Sequence, residues 1–97
     1  MLFTINKSPL TTNNLESALR TAPNGAPILL YEDGVYGVAN SARTAALVRA
    51  ALADHPVYAL AADLEARGVR EVLHGVQVIS YEGFVELVEQ HHVAPWL

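Results

Sequence analysis

No cysteine occurs among the 97 residues. Disulfides, thiolate metal sites and thiol nucleophiles are thereby excluded, and any sulfur chemistry must borrow its thiol from another chain. Charge is also scarce. Only 16% of residues are charged, against about a quarter in an ordinary globular chain, and the six basic ones are scattered from Lys7 to Arg70. With a formal net charge of -4 the chain lacks the clustered Lys and Arg that track a phosphate backbone, so direct nucleic-acid binding is not expected. No run approaches the roughly 18 apolar residues of a membrane span. The start, Met1 to Ile5, lacks the basic n-region and long apolar core of a secretion signal. The expectation is a cytoplasmic protein with no membrane attachment.

Metal and cofactor signals are missing as well. His55 and His74 stand apart, and His91 and His92 are adjacent, without the i, i+4 spacing that lets one helix face chelate an ion. There is no glycine-rich phosphate loop, since the first apolar run closes in Asn6, Lys7, Ser8 and Pro9. Neither a metal nor a cofactor is expected, and no Ser, His, Asp set stands out as a nucleophilic site.

What the chain does have is apolar residues, 52% of the total. The length is expected to form one domain, residues 1–97, at a size that buries only about two-thirds of the unfolded chain's surface. Some of the remaining apolar surface is expected to meet another chain.

Leu2 to Ile5 reads as a first strand, stopped by Pro9. Asn13 and Glu16 have the spacing of a capping box, before a helix whose apolar positions are Leu15, Ala18, Leu19 and Ala22; Pro23, Asn24 and Gly25 end it. Ala26 to Tyr31 is the second strand. After Gly34 and Gly37, Ser41 is placed to cap an alanine-rich helix with Leu47, Val48, Ala51 and Leu52 on one side, ending near Asp54. Val57 to Leu60 is the third strand, and Asp63 is placed to cap a short helical turn closed by Gly68. Val76 to Ile79 is the fourth. Ser80 then opens a helix with Tyr81, Phe84, Val85 and Val88 as its apolar face and Glu82, Glu86 and Glu89 towards solvent. The alternation predicts a small three-layer α/β fold, a parallel sheet of about four strands with helices on both faces.

In such sheets ligands and partners dock at the carboxyl ends of the strands, which directs attention to the loops there. Asn6, Lys7 and Ser8 would present an amide, a cation and a hydroxyl to an anionic group, or would simply satisfy backbone groups in a tight loop. Glu32, Asp33, Gly34 and Val35 follow the second strand. Two carboxylates suggest an acid and base pair, but adjacent residues on a strand point to opposite faces. A turn in which Asp33 bonds its own backbone and Gly34 takes a positive φ is the simpler expectation. Asp63 belongs to the same edge of the sheet. At the far end Val93 to Leu97 form an apolar tail, in which Trp96 is expected either to pack on the chain's own core or to anchor a neighbouring subunit.

Taken in order, Asn6 to Pro9, Leu29 to Val35, Val57 to Leu60, Asp63 to Gly68, and Tyr81, Phe84 and Val85 with the closing Trp96 resemble the TusB/DsrH family nearly end to end. The resemblance implies a DsrE/F/H-like fold and a heterohexamer holding two copies each of this chain and of TusC/DsrF-like and TusD/DsrE-like paralogues. It implies that a cysteine of the TusD/DsrE-like partner carries the sulfur as a persulfide. TusB-type complexes relay sulfur from a TusA-like donor towards tRNA wobble-uridine 2-thiolation, whereas DsrH-type complexes serve sulfur oxidation. DsrH proteins of sulfur oxidisers typically carry a cysteine in the first helix, where this chain has Ala18. A chain without a thiol cannot hold a persulfide, because a thiolate is the group that attacks and accepts in such exchange.

The expected function is thus a subunit of a sulfurtransferase complex that is not catalytic alone, with tRNA thiolation placed ahead of sulfur oxidation. An enzyme or small-ligand-binding domain using Lys7, Ser8, Asp33 and Asp63, or a homo-oligomeric scaffold, are the other expectations. Asn6, Lys7, Ser8, Glu32, Asp33, Gly34, Val35, Asp63 and Trp96 are the candidate partner-facing or pocket-lining residues.

Overall fold

The computed structural model describes residues 1–40 and 43–97. Five strands form one parallel sheet: β1 (Leu2–Ile5), β2 (Ile28–Leu30), β3 (Val57–Leu60), β4 (Gln77–Ile79) and β5 (Val93–Trp96), in the spatial order β4-β3-β2-β1-β5. The helices are α1 (Asn14–Thr21), α2 (Ala45–Asp54), α3 (Ala61–Ala66) and α4 (Tyr81–Gln90), and a 3-10 segment covers Glu32–Val38.

The topology follows from parallel pairing and right-handed crossovers. Three successive crossovers through α1, α2 and α3 step the chain outward from β1 to β4, so those helices share one face of the sheet. The fourth, through α4, carries the chain back over the opposite face to β5 beside β1. Two apolar clusters record this split. Phe3, Ile5, Ile28, Leu30, Val57 and Ala59 pack with residues of α1, α2 and α3 on one side. Leu2 and Leu29 pack with Leu87 on the other, joined by Tyr58, Ile79 and Phe84. Strands buried on both faces lose the polar alternation of a surface strand, which is why β1 and β2 read as continuous apolar runs.

The sheet has five strands rather than about four. Val93–Trp96 is not a loose tail but an edge strand paired with β1, with Leu2 opposite Val93 and Ile5 opposite Trp96. An edge strand tolerates Pro95 because one of its two rows of backbone groups faces no neighbour. Ala94 and Trp96 pack against the larger core, so the half-buried indole meets its own chain.

Several local expectations change. Asn13 immediately precedes α1 but its side chain makes no capping bond; the hydroxyl of Thr12 accepts from the Asn14 N–H at 3.4 Å instead. Asp63 lies inside the first turn of α3, not at its cap, which is Leu60. Gly68 does close that helix, at φ +68°, with Val69 N–H donating to the Leu64 carbonyl at 3.0 Å. The proposed cap Ser41 lies outside the described residues. Ser80 caps α4 as expected, accepting from Gly83 N–H at 3.2 Å. The face of α4 that packs is different: Leu87 is its buried residue and Phe84 is partly buried, while Tyr81, Val85 and Val88 are exposed. No helix among the described residues is long and apolar enough to cross a membrane.

Candidate functional site at the carboxyl ends of β2 and β3

The chain leaving β2 turns into the 3-10 segment with Glu32 in the left-handed region, φ 48°. Such a backbone costs an L-residue roughly 1–2 kcal/mol and must be held from outside. Asp63 supplies the hold: its Oδ2 accepts from the Glu32 N–H at 2.6 Å. Gly34 is therefore not the residue at positive φ. It is required for a different reason, since a Cβ there would collide with the carbonyl oxygen of Ile5 at the end of β1. At Gly37 an added Cβ would come within 2.5 Å of Pro9 Cγ. The two glycines thus let the segment lie directly against the loop that follows β1.

Asp33 does not bond its own backbone as expected. Its Oδ1 accepts from Arg67 Nε at 2.9 Å, and the Arg67 Nη1 lies 3.6 Å from Asp63 Oδ1 and donates to the Asp63 carbonyl at 3.4 Å. One guanidinium therefore joins the end of β2 to α3. The hydrogen bond Arg67 donates to Asp33, which outweighs the opposing effect of burial, raises the pKa of Arg67, with the charges of Asp33 and Asp63 acting in the same direction. Asp33 remains largely open to solvent, while Asp63 and Arg67 are mostly covered.

Tyr31, just before this turn, is half-buried and its ring lies 6.4 Å from that of Phe84. Burial raises the pKa of its phenol, the neighbouring Glu32 carboxylate adds to the rise, and the Thr4 hydroxyl opposes it.

The structure brings together Glu32, Asp33, Gly34 and Asp63, with Asn6 against Gly34 through its Cα. Asn6 Oδ1 is buried with no hydrogen-bond partner among the described residues. Lys7 is exposed. Ser8 is occupied locally: its hydroxyl accepts from Leu10 N–H at 3.2 Å, and its carbonyl accepts from Thr11 and Thr12 N–H. Val35 is fully buried in the core, so it supports the turn from below and offers no contact surface. Trp96 ends β5 on the same edge of the sheet, with its side chain turned into the larger core.

Arg67 falls within the Asp63 to Gly68 block but was not among the candidate site residues read from the sequence. The signal available was its i, i+4 spacing from Asp63 in a short helix; its bond to Asp33 spans 34 positions and leaves no local trace. The fold's switch point, where α3 leaves β3 towards one face and α4 leaves β4 towards the other, lies one strand further out. A separate shallow groove of about 180 Å³ lies between α1 and α2, lined by Leu19, Leu47 and Ala51 with Asp54 and His55. There the buried His55 donates through Nδ1 to the Ala26 carbonyl at 2.9 Å, tying the end of α2 to the entry of β2.

These features define a small parallel α/β protein whose strand-end loops carry an interlocked charge cluster and no reactive thiol. The same fold is found in a protein of unknown function, MTH1491, from Methanobacterium thermoautotrophicum, with a TM-score of 0.69, 19% identity and coverage of 97% of this chain and 96% of that one. It is found again in protein Tm0979 from Thermotoga maritima, with a TM-score of 0.63, 25% identity and coverage of 94% of each chain. A family profile described as DsrH like protein matches residues 7–94. Protein TusB of Serratia proteamaculans is 43% identical over 93 residues, covering 94% of each chain. Protein TusB of Photorhabdus laumondii is 39% identical over 95 residues, covering 95% of each. The chain belongs to the DsrH/TusB sulfur-relay family.

Proposed function

We propose that this chain is a non-catalytic, cytoplasmic subunit of a sulfur-relay complex, assembled with DsrE-like and DsrF-like paralogues and supporting 2-thiolation of the tRNA wobble uridine. Its similarity to proteins named TusB over 94% of its length supports the thiolation branch. The observation that carries the subunit role is chemical. The chain has no cysteine, and the charged groups at its strand ends are engaged with one another: Arg67 with Asp33 and Asp63, and Asp63 with the Glu32 backbone. Groups bound to each other in this way fix the shape of a loop rather than move protons. The exposed carboxylates of Glu32 and Asp33, with Lys7 on the adjoining loop, then form a rigid polar rim that a partner's persulfide-bearing loop can rest against.

Ala18 bears on the choice of branch. It is fully buried on the inner side of α1, so at the position where the resemblance places a DsrH cysteine this chain presents only a methyl group to its own core. Deleting the gene and quantifying tRNA 2-thiouridine by nucleoside mass spectrometry tests the proposal. The expected result is a marked loss of 2-thiouridine, restored by the wild-type chain. Unchanged thiolation with impaired sulfur oxidation would assign the chain to the Dsr branch.

A further inference from the structure

The sheet is covered unevenly. Among the described residues, three helices and the 3-10 segment pack over one face and only α4 over the other. That helix is apolar on more than its packed side. Leu87 and Phe84 meet the sheet, yet Tyr81, Val85 and Val88, at i, i+4 and i+7, line up as a second stripe that is 60%, 50% and 38% exposed. The edge strand carries one more exposed apolar residue on this side of the sheet. Val93 pairs with Leu2, whose side chain belongs to the α4 cluster, so Val93 projects on the α4 side of the sheet, where it is 41% exposed. Four large apolar side chains on one layer of so small a chain form an unusually open surface.

The charges beside that stripe limit what can cover it. Glu82, Glu86 and Glu89 recur at the same i, i+4, i+7 spacing one position along, and none of the six basic residues lies in α4 or β5. A second copy packed on this face about a two-fold axis would set one acidic row near the other, Glu82 towards Glu89 where the helices run antiparallel and Glu86 towards its own counterpart where they run parallel. Like charges set opposite one another at a desolvating contact are repulsive, which disfavours that pairing. A partner with an apolar stripe bordered by Lys or Arg meets the same surface with opposite charges.

We infer that the exposed face of α4, together with Val93, is a docking surface for a different chain that presents an apolar patch with a basic border. This deepens the proposed function by assigning one surface of the subunit to a paralogue, and it rests on that reading. The acidic row would govern encounter and register, and the apolar stripe would supply most of the affinity once water is excluded.

The test uses the full chain co-expressed with the DsrE-like and DsrF-like chains of the same organism, with native mass spectrometry for assembly and thermal unfolding for integrity. Val85→Glu places a charge in the centre of the stripe at a half-exposed position, and Glu86→Lys with Glu89→Lys reverses the border. The expected result is a mixed complex for the wild type, at least about tenfold weaker for either variant, with each isolated variant unfolding within a few degrees of wild type. The border variant should also lose the salt sensitivity of association. A wild-type complex that both variants form equally well would overturn the surface while leaving the subunit role intact. Failure of the wild type to form any mixed complex would overturn the subunit role and this surface together. A wild-type homodimer in sedimentation that Val85→Glu dissociates would give the surface to a second copy instead, which also overturns the inference.

Discussion

Asp63 holds the backbone of Glu32 across 31 positions of sequence, its carboxylate accepting from that N–H at 2.6 Å. This single bond links α3 to the turn after β2 and secures a residue in left-handed backbone. Removing the acceptor with Asp63→Ala should cost about 1–3 kcal/mol, the usual loss for a charged hydrogen bond at a partly buried site. Asp63→Asn, which keeps an oxygen in place, should cost less. Glu32→Gly relieves the backbone and should leave stability unchanged or raise it by up to about 1 kcal/mol. Urea unfolding of the isolated chain measures all three.

Gly34 is constrained by proximity rather than by φ. The methyl of Gly34→Ala meets the Ile5 carbonyl, which is backbone at the end of β1, held by the Tyr31 N–H at 3.1 Å, and cannot rotate away. We expect a loss of about 1–3 kcal/mol or more, as for overpacked cores. At Gly25, where nothing lies within 4 Å of an added Cβ, alanine has no such collision, only the strain of φ +89°. Comparing the two variants by chemical denaturation separates crowding from backbone strain.

The indole of Trp96 packs on the chain's own core at the end of an edge strand, so truncation acts on folding. Trp96→Ala should cost about 2 kcal/mol from lost apolar burial, lowering the midpoint of thermal unfolding by about 8–16 °C in a chain of this size. Deleting Pro95 to Leu97 should be more severe, since it also removes strand pairing with β1. Calorimetry of the isolated chain gives the answer without any partner.

Tyr31 predicts an alkaline effect of definite sign. Its phenol is harder to ionise in the folded chain than its ordinary value of 10.0, first because of burial and then because of Glu32. Below about pH 10 the phenol is neutral in both states and its contribution is complete. As pH rises from there to the raised folded value, only the unfolded chain ionises and stability falls. Tyr31→Phe should remove that part of the decline, seen as a flatter stability profile above pH 10.

The order of strands and helices was legible in the sequence because apolar runs between Pro, Gly and polar breaks have few other ways to be buried. Leu2 to Ile5, Val57 to Leu60 and the Ser80 start of α4 are examples. The fifth strand was not, since Val93 to Trp96 is short, contains Pro95, and becomes a strand only because the free edge of β1 is there to pair with it. At the site, Glu32, Asp33 and Asp63 were legible as strand-end polar residues. Their partner Arg67 and the exchange of roles between Glu32 and Gly34 depend on contacts between distant segments, which spacing does not encode. On α4, periodicity marked every apolar residue alike and could not separate Leu87, which packs on the sheet, from Val85, which does not.

The central proposal is that this thiol-free chain shapes and steadies a complex while another subunit carries the sulfur. The most direct test is transfer of labelled sulfur from a TusA-like donor to the DsrE-like subunit's cysteine, measured in the three-chain assembly with and without this chain. The account predicts label on the partner cysteine, none on this chain, and transfer at least about tenfold slower when this chain is omitted. Undiminished transfer in its absence, or label covalently bound to it, would contradict the account.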